Sequence, residues 1–528
     1  MLFNSYEFLF VYFPLTFAAF FAIGRYSRPL AALTLFAASL FFYGWWNPAY
    51  VGLLIGSILF NFAMGSAISQ EHHQGRMTRA KGLLIAAISC NLALLAYFKY
   101  ANFFLTNVNP FLGTGWQLEE LILPLGISFF TFTQIAFLVD AYRGEVKERN
   151  FIHYGLFVTY FPHLIAGPVL HHKEMMPQFA LAQTYRVHWE NVSVGLSIFV
   201  IGLFKKTVLA DGISEFSTPV FDAAAAGQSL TLLEAWGGAI AYTFQLYFDF
   251  SGYSDMAIGL SRMFGVKLPL NFHSPYKATN IIEFWRRWHM TLSRFLRDYL
   301  YFSLGGNRKG SVRRYINLML TMLLGGLWHG AGWTFIIWGG LHGLYLCINH
   351  AWSHYAKKFR PKPLLPNGLG KLLAWLLTFL AVVMGWVFFR AASLDAALEM
   401  LKGMSGLNGI AVPNAIAAKL GASWQMWADL GVTRYLGGGS QFIFTWLWIA
   451  ILLVVVMAMP NTQQIMSRFE PVLQMHNTDE RNEIRLMSRV HSALQWKPGI
   501  KWAVSIGAVA ALGVFAMSSV SEFLYFQF

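Results

Sequence analysis

The sequence predicts an all-α, polytopic membrane fold of about twelve spanning helices with re-entrant and interfacial helices, and three observations predict it. Hydrophobic residues fill 56% of the 528 positions. Charged residues fill only 12%, where a soluble domain carries about a quarter. Apolar stretches approaching the roughly 20 residues that a spanning helix needs recur along the whole chain, with only short charged interruptions. At this length three or four soluble domains would otherwise be expected. No repeat, low-complexity tract or linker separates a second unit, so residues 1–528 read as one membrane domain.

Taken in order, the first apolar run covers 6–23. Met1–Phe21 holds no Lys or Arg, and Arg25 and Arg28 follow the run, the reverse of a signal peptide. An uncleaved first span with its N-terminus outside is expected. Further spans are expected at 30–46, 50–69, 83–98, 121–140, 191–208, 231–250, 315–330, 334–352, 372–389, 442–459 and 502–520. Several are short, which predicts tilt or irregular ends. Segment 390–441, rich in Gly and Ala, reads as the longest exterior loop. Segment 460–500, with Arg481, Glu483, Arg485 and Arg489, reads as an amphipathic cytoplasmic helix.

Basic loops set the orientation. Arg76, Arg79 and Lys81 form one group, and Lys357, Lys358, Arg360 and Lys362 another. The heaviest group is Arg286, Arg287, Arg294, Arg297, Arg308, Lys309, Arg313 and Arg314. All three belong inside by the positive-inside rule. Counting 151–168 (FIHYGLFVTYFPHLIAGP) as a crossing would put the heaviest group outside. Pro162, His163, Gly167 and Pro168 break a helix there, so a re-entrant element is expected, tolerated only under a cover of protein or water. Lys205 and Lys206 then fall at an outer end and would have to snorkel.

The net charge of +14 fits these loops, and no nucleic-acid-binding module is readable. Cys90 and Cys347 sit in apolar segments and read as packing residues, which argues against a disulfide framework or a Cys-based metal site. No metal ligand set is predicted.

Polar groups at membrane depth are costly and mark candidate sites. In QLYFDFSGYSDMAIG (245–259), Gln245 and Asp249 lie one helical turn apart, and Gly252 reads as a break before Tyr253, Ser254 and Asp255. Two carboxylates there suit a cavity wall. They equally suit helix capping and ion pairs with the basic group. In FWRRWHMTLSRFLRDYLY (284–301), Trp285, Trp288, Phe295, Tyr299 and Phe302 recur at helical spacing among four arginines. This predicts one interfacial helix whose arginines meet lipid headgroups or an anionic donor. His289 within it reads, on its own, as packing. In TMLLGGLWHGAGWTFIIWGGLHG (321–343), His329 stands among Gly325, Gly326, Gly330 and Gly332, with His342 following. Small residues let helices or a substrate chain approach closely, and a neutral imidazole is a competent general base near pH 7. There is no GxSxG elbow for a self-contained serine enzyme.

These segments resemble the membrane-bound O-acyltransferase family, in its bacterial alginate O-acetylation branch. The carriers are YFKYANFF (97–104), LPLGISFFTF (123–132), FPHLIAGPVL (161–170), QLYFDFSGYSDMAIGL (245–260), EFWRRWHMTLSRFLRDYLY (283–301), SLGGNRKG (303–310), LLGGLWHGAGWTFIIWG (323–339) and FLYFQF (523–528). The resemblance implies that His329, in WHG, and His289, in WHMTLS, are catalytic. It makes Arg294, Arg297, Asp249, Asp255, Trp328 and Asn307 candidates for binding donor or substrate. It implies a helical ring around a tunnel in the bacterial inner membrane, among membrane lipids, with no bound cofactor. Acetyl-CoA would be the donor, and a periplasmic SGNH-type acetyltransferase partner would pass acetyl to an exported polysaccharide such as alginate. Two other readings stay open on residues alone: an acyl-donor transporter or flippase, which broken helices and Asp249 would also serve, and a non-catalytic scaffold of a secretion complex.

Overall fold

Every apolar stretch of the sequence overlaps a helix in the computed structural model, which describes residues 1–116, 118, 122–165, 167–359, 366–473, 490–518 and 524. The first half begins with α1 (Phe8–Gly24), α2 (Arg28–Gly44), α3 (Ala49–His73), α4 (Met77–Leu112) and α5 (Ile127–Tyr142). Ser27 caps α2 by accepting the Leu30 N–H. Helix α4 takes a wider, π-type turn at Ala96–Tyr100. Two short helices follow, α6 (Phe151–Thr159) and α7 (Phe161–Leu164), then α8 (His172–Ala180). Nine residues of helix rise only about 14 Å, too little to cross a core of about 30 Å. Lys173 pairs with Glu145 at 3.2 Å and His172 Nδ1 lies 3.2 Å from Asp140. The segment between them therefore returns to the end of α5 from which it left.

The long helices α9 (Trp189–Ala225) and α10 (Leu232–Met263) run antiparallel at the centre. Helix α10 is buried along nearly its whole length. Gly252 does not interrupt it: a Cβ there would lie 2.8 Å from the Gly202 carbonyl, so the glycine serves close approach to α9. The paired site, Gly195 against Gly259, is as tight. Lys205 and Lys206 do not snorkel. They turn inward from a π-type turn at Lys205–Ala210, Lys205 to Asp255 at 2.6 Å and Lys206 to Asp211 and Asp249 at 2.7 Å each. Buried charges left unpaired are strongly destabilising, and the three carboxylates supply the partners.

Next, 284–301 is not one helix. α11 (Ile281–Arg287) stops, His289 takes a left-handed backbone at φ +41°, and α12 (Met290–Phe295) restarts in a new direction. A hairpin of α13 (Gly310–His329) and α14 (Trp333–Phe359) follows, then α15 (Asn367–Arg390). Segment 390–441 is structured, not an irregular loop. It holds α16 (Leu394–Met404), β1 (Ile410–Pro413), α17 (Asn414–Leu420), α18 (Trp424–Asp429) and β2 (Val432–Tyr435), the two strands pairing in parallel. Helices α19 (Gly439–Ala458) and α20 (Ile500–Phe515) complete the described chain. The acidic and basic residues Arg481, Glu483, Arg485 and Arg489, together with Arg360 and Lys362, lie outside the described residues. Cys90 is exposed and does not serve packing.

Five helical stretches are long and apolar enough to cross a membrane by length and composition: Ala49–His73, Met77–Leu112, Trp189–Ala225, Gly368–Arg390 and Gly439–Ala458. The central α10 is excluded from them by the polar groups it buries, among them Gln245, Asp249, Ser254 and Asp255. The basic loops gather at one end. Arg143 at the end of α5 reaches the Asp298 carbonyl at 3.5 Å, Gly144 touches His72 at the end of α3, and α14 brings its C-terminus back beside the start of α13. Segment 390–441 sits at the start of α10, the Leu232 N–H donating to Gly409 at 3.0 Å, and so occupies the opposite end.

Candidate active site

The site starts where α13 ends. Gly330 is extended there (φ −156°, ψ 151°), and the chain re-enters helix at Trp333. Gly326 and Gly339 face one another across the hairpin, and a Cβ on Gly326 would strike the Phe335 carbonyl. The glycines around His329 thus let α13 and α14 close on each other. His329, 6% exposed, is enclosed by Trp328, Trp338 and Phe389 at ring-centroid distances of 4.8, 5.0 and 5.2 Å. His342 lies one ring beyond, 5.0 Å from Trp338, and its Nδ1 accepts the Trp285 indole N–H at 3.3 Å.

His289 approaches from the other side. It is 1% exposed, and its ring lies 6.4 Å from that of Trp328, so one indole touches both histidines. Asn271 Oδ1 lies 3.0 Å from His289 Nδ1 and also accepts the Thr291 N–H at 3.4 Å and the Thr291 hydroxyl at 3.0 Å. A backbone N–H only donates, which identifies that amide atom as the oxygen; His289 must then carry its proton on Nδ1. Its Nε2 is buried with no hydrogen-bond partner among the described residues, and it carries the ring's lone pair.

Met290 and Thr291, the next residues, line a cavity of about 670 Å³ together with Arg286, Arg294, Arg297 and His350. Arg294 is held bidentate by Glu174 at 2.6 and 2.7 Å. Arg297 pairs with its neighbour Asp298 at 2.7 Å and is over half exposed. A second cavity, about 430 Å³, opens on the same end beside Arg143, Lys173 and Arg308. On its wall the Tyr299 hydroxyl donates to Asp140 at 2.9 Å and accepts His171 Nδ1–H at 2.9 Å. Burial, helped by the nearby Arg294 charge, holds the His171 imidazole below its ordinary pKa, in keeping with a neutral donor.

Of the residues singled out in the sequence, His329, Trp328 and His289 come together, with Arg294 and Arg297 on the cavity that adjoins them. Asp249 and Asp255 do not join the 286–314 basic group. Asp249 binds Lys206 and the Leu524 N–H, and Asp255 binds Lys205, Thr462 and Gln463. Asn307 sits on an exposed turn. Sequence reasoning missed Asn271, Lys99 and Tyr100. Lys99 Nζ reaches the Trp328 and His329 carbonyls, and the Tyr100 hydroxyl reaches that of Leu327. A lysine inside the apolar run of α4 was the available signal. The arrangement offers an imidazole in an enclosed aromatic setting, a second one whose Nε2 has no hydrogen-bond partner among the described residues, and beside them a cavity that opens on the basic end.

Residues 90–386 match the sequence model of the MBOAT, membrane-bound O-acyltransferase family. The chain is 48% identical to the peptidoglycan O-acetyltransferase of Helicobacter pylori over 440 residues, 78% of this chain and 81% of that protein. It is 44% identical over 411 residues to a Pseudomonas aeruginosa protein named Probable alginate O-acetylase AlgI, covering 76% of this chain and 75% of the relative. To the teichoic acid D-alanyltransferase of Streptococcus thermophilus it is 30% identical over 290 residues, 51% of this chain and 69% of that protein.

Proposed function

The chain belongs to the membrane-bound O-acyltransferase family, and from that premise we propose that it takes acetyl groups from a cytoplasmic thioester, acetyl-CoA, and moves them across the bacterial inner membrane. Their destination is an exported polysaccharide, reached through a periplasmic SGNH-type acetyltransferase partner. The observation that carries this reading is the pairing of His329 with His289 around Trp328, beside a cavity that opens on the arginine-rich end. Alginate is the polymer suggested by the sequence motifs. The 48% identity to a peptidoglycan O-acetyltransferase favours peptidoglycan as the second reading.

In this mechanism the donor's phosphates meet the basic end, where Arg286 and Arg297 line the larger cavity. Its pantetheine arm runs inward past Thr291. His329 takes the proton of the acceptor hydroxyl as that oxygen attacks the thioester carbonyl. The new C–O bond forms, the C–S bond breaks, and the departing thiolate recovers the proton from the imidazolium. His289 offers its free Nε2 lone pair to a donor group of the thioester arm, holding it still. Proton transfer of this kind contributes roughly 10²–10⁴-fold in rate, and positioning in a dry site adds to it.

The test is a reconstituted assay with labelled acetyl-CoA, candidate partners, and alginate and peptidoglycan in parallel. His329→Ala, His329→Asn and His329→Gln, in protein that inserts normally, are expected to lose at least about 10²-fold in turnover. Acetylation at the normal rate in these variants would overturn the enzymatic site and leave a transporter or scaffold.

A further inference from the structure

We propose that Lys99 and Tyr100 are positioning residues for His329, clamping the end of the helix that carries it; the inference rests on the reading of His329 just given. Lys99 Nζ lies 2.6 Å from the Trp328 carbonyl and 3.0 Å from that of His329, with Ser128 Oγ at 3.5 Å. The adjacent Tyr100 donates to the Leu327 carbonyl at 2.8 Å. Two neighbouring side chains therefore hold three consecutive carbonyls, the last three of α13.

The last carbonyls of any helix lack partners within it and carry the negative end of its dipole. A cation there is favourable. Yet neutral donors satisfy carbonyls at most helix ends, and a lysine at membrane depth is expensive. Among the described residues no carboxylate pairs with Lys99; its contacts are the two carbonyls and the serine hydroxyl. Its amine donors are spent on the backbone of the WHG turn.

The geometry of α4 explains how both residues reach it. In a regular helix consecutive side chains diverge by about 100°, so if one faces a neighbouring helix the next points away. Lys99 and Tyr100 close the π-type turn Ala96–Tyr100, whose extra residue narrows that divergence. Such turns concentrate at functional sites. Neither side chain points at the reacting atoms: both bind main chain. Their effect on chemistry passes through the direction in which α13 aims the His329 ring, which Gly330 by itself leaves loosely defined.

The experiment compares Lys99→Met, Lys99→Arg and Tyr100→Phe with His329→Ala in the reconstituted acetyl-transfer assay, reading kcat, donor KM and thermal unfolding together. Misplacement of a catalytic group by about 1 Å costs roughly 10²-fold. Lys99→Met is expected to lose about tenfold to a hundredfold in kcat, with donor KM within about twofold of the parent. Lys99→Arg should recover most of that loss, and Tyr100→Phe should lose about threefold, in proportion to one neutral hydrogen bond. Wild-type kcat in Lys99→Met beside an inactive His329→Ala would overturn the inference alone. So would kcat and the folded fraction falling together with no rescue by arginine, which marks an ordinary helix cap. If Lys99→Met does not fold, Tyr100→Phe decides: lower kcat at unchanged unfolding temperature supports the clamp, and unchanged kcat overturns it. Full activity in His329→Ala would overturn the reading of the site itself.

Discussion

His289 sits at φ +41°, a conformation that side chains other than glycine, asparagine and aspartate rarely adopt, at a cost of order 1–3 kcal/mol. Asn271 holds it there and sets its tautomer. Asn271→Leu removes the acceptor of the His289 Nδ1–H and of both Thr291 donors, so it should lower kcat by at least about tenfold in the acetyl-transfer assay and also lower the unfolding temperature. The two arginines of the cavity should separate. Arg294→Gln leaves Glu174 unpaired and should destabilise by about 2 kcal/mol, between the values for exposed and fully buried pairs, as read by thermal unfolding. Arg297→Gln should leave stability unchanged but raise donor KM about threefold to tenfold; an unchanged KM would assign Arg297 to lipid. His329 and His289 were legible because each sits in a distinctive motif. Asn271 was not, since its neighbours in LPLNF carry no chemical signal and only the tertiary turn at 289 brings it to the imidazole.

At the scale of elements, the crossing of α9 and α10 depends on glycine carbonyls in direct contact. A Cβ on Gly259 would lie 2.5 Å from the Gly195 carbonyl, where backbone cannot yield. Gly259→Val should cost at least the roughly 1–3 kcal/mol typical of overpacking, seen as loss of monodisperse protein in detergent. Gly507→Ala, with nothing within 4 Å, should leave that yield unchanged or raise it, as alanine favours helix. The positions of the spans were readable from apolar runs alone. The role of Gly252 was not, because a glycine in a helical pattern signals either a break or a close contact, and a sequence does not show the neighbour. The division of 284–301 was hidden for a related reason. Its aromatic residues keep helical spacing on both sides of His289, while the turn there is bound by Asn271, 18 residues earlier. Lys205 and Lys206 looked like snorkelling residues until their partners on α9 and α10 were in place.

For the whole molecule, composition was enough to give the all-α membrane class, and charge asymmetry was enough to group the basic loops. The order within segment 390–441 was not legible, because its short helices and four-residue strands lack any sustained period. The two ends of the molecule make sidedness testable. With Cys90 and Cys347 replaced by serine, Leu436→Cys on the 390–441 segment should react with an impermeant maleimide added on the exterior side. Gln74→Cys, in the first basic loop, should react only after the membrane is opened. The opposite pattern would invert the orientation. Helix α20 has 16 residues and α2 has 17, and both carry exposed apolar side chains such as Phe515 and Phe41, so each spans about 24–26 Å where a typical hydrocarbon core measures about 30 Å. A span this short is met by local thinning of the lipid or by snorkelling of its flanking residues, at a fraction of a kcal/mol for each ångström. Turnover in proteoliposomes should therefore depend on acyl-chain length, highest where the hydrocarbon thickness suits these two helices; a rate independent of chain length would show that the helices transmit nothing to the site.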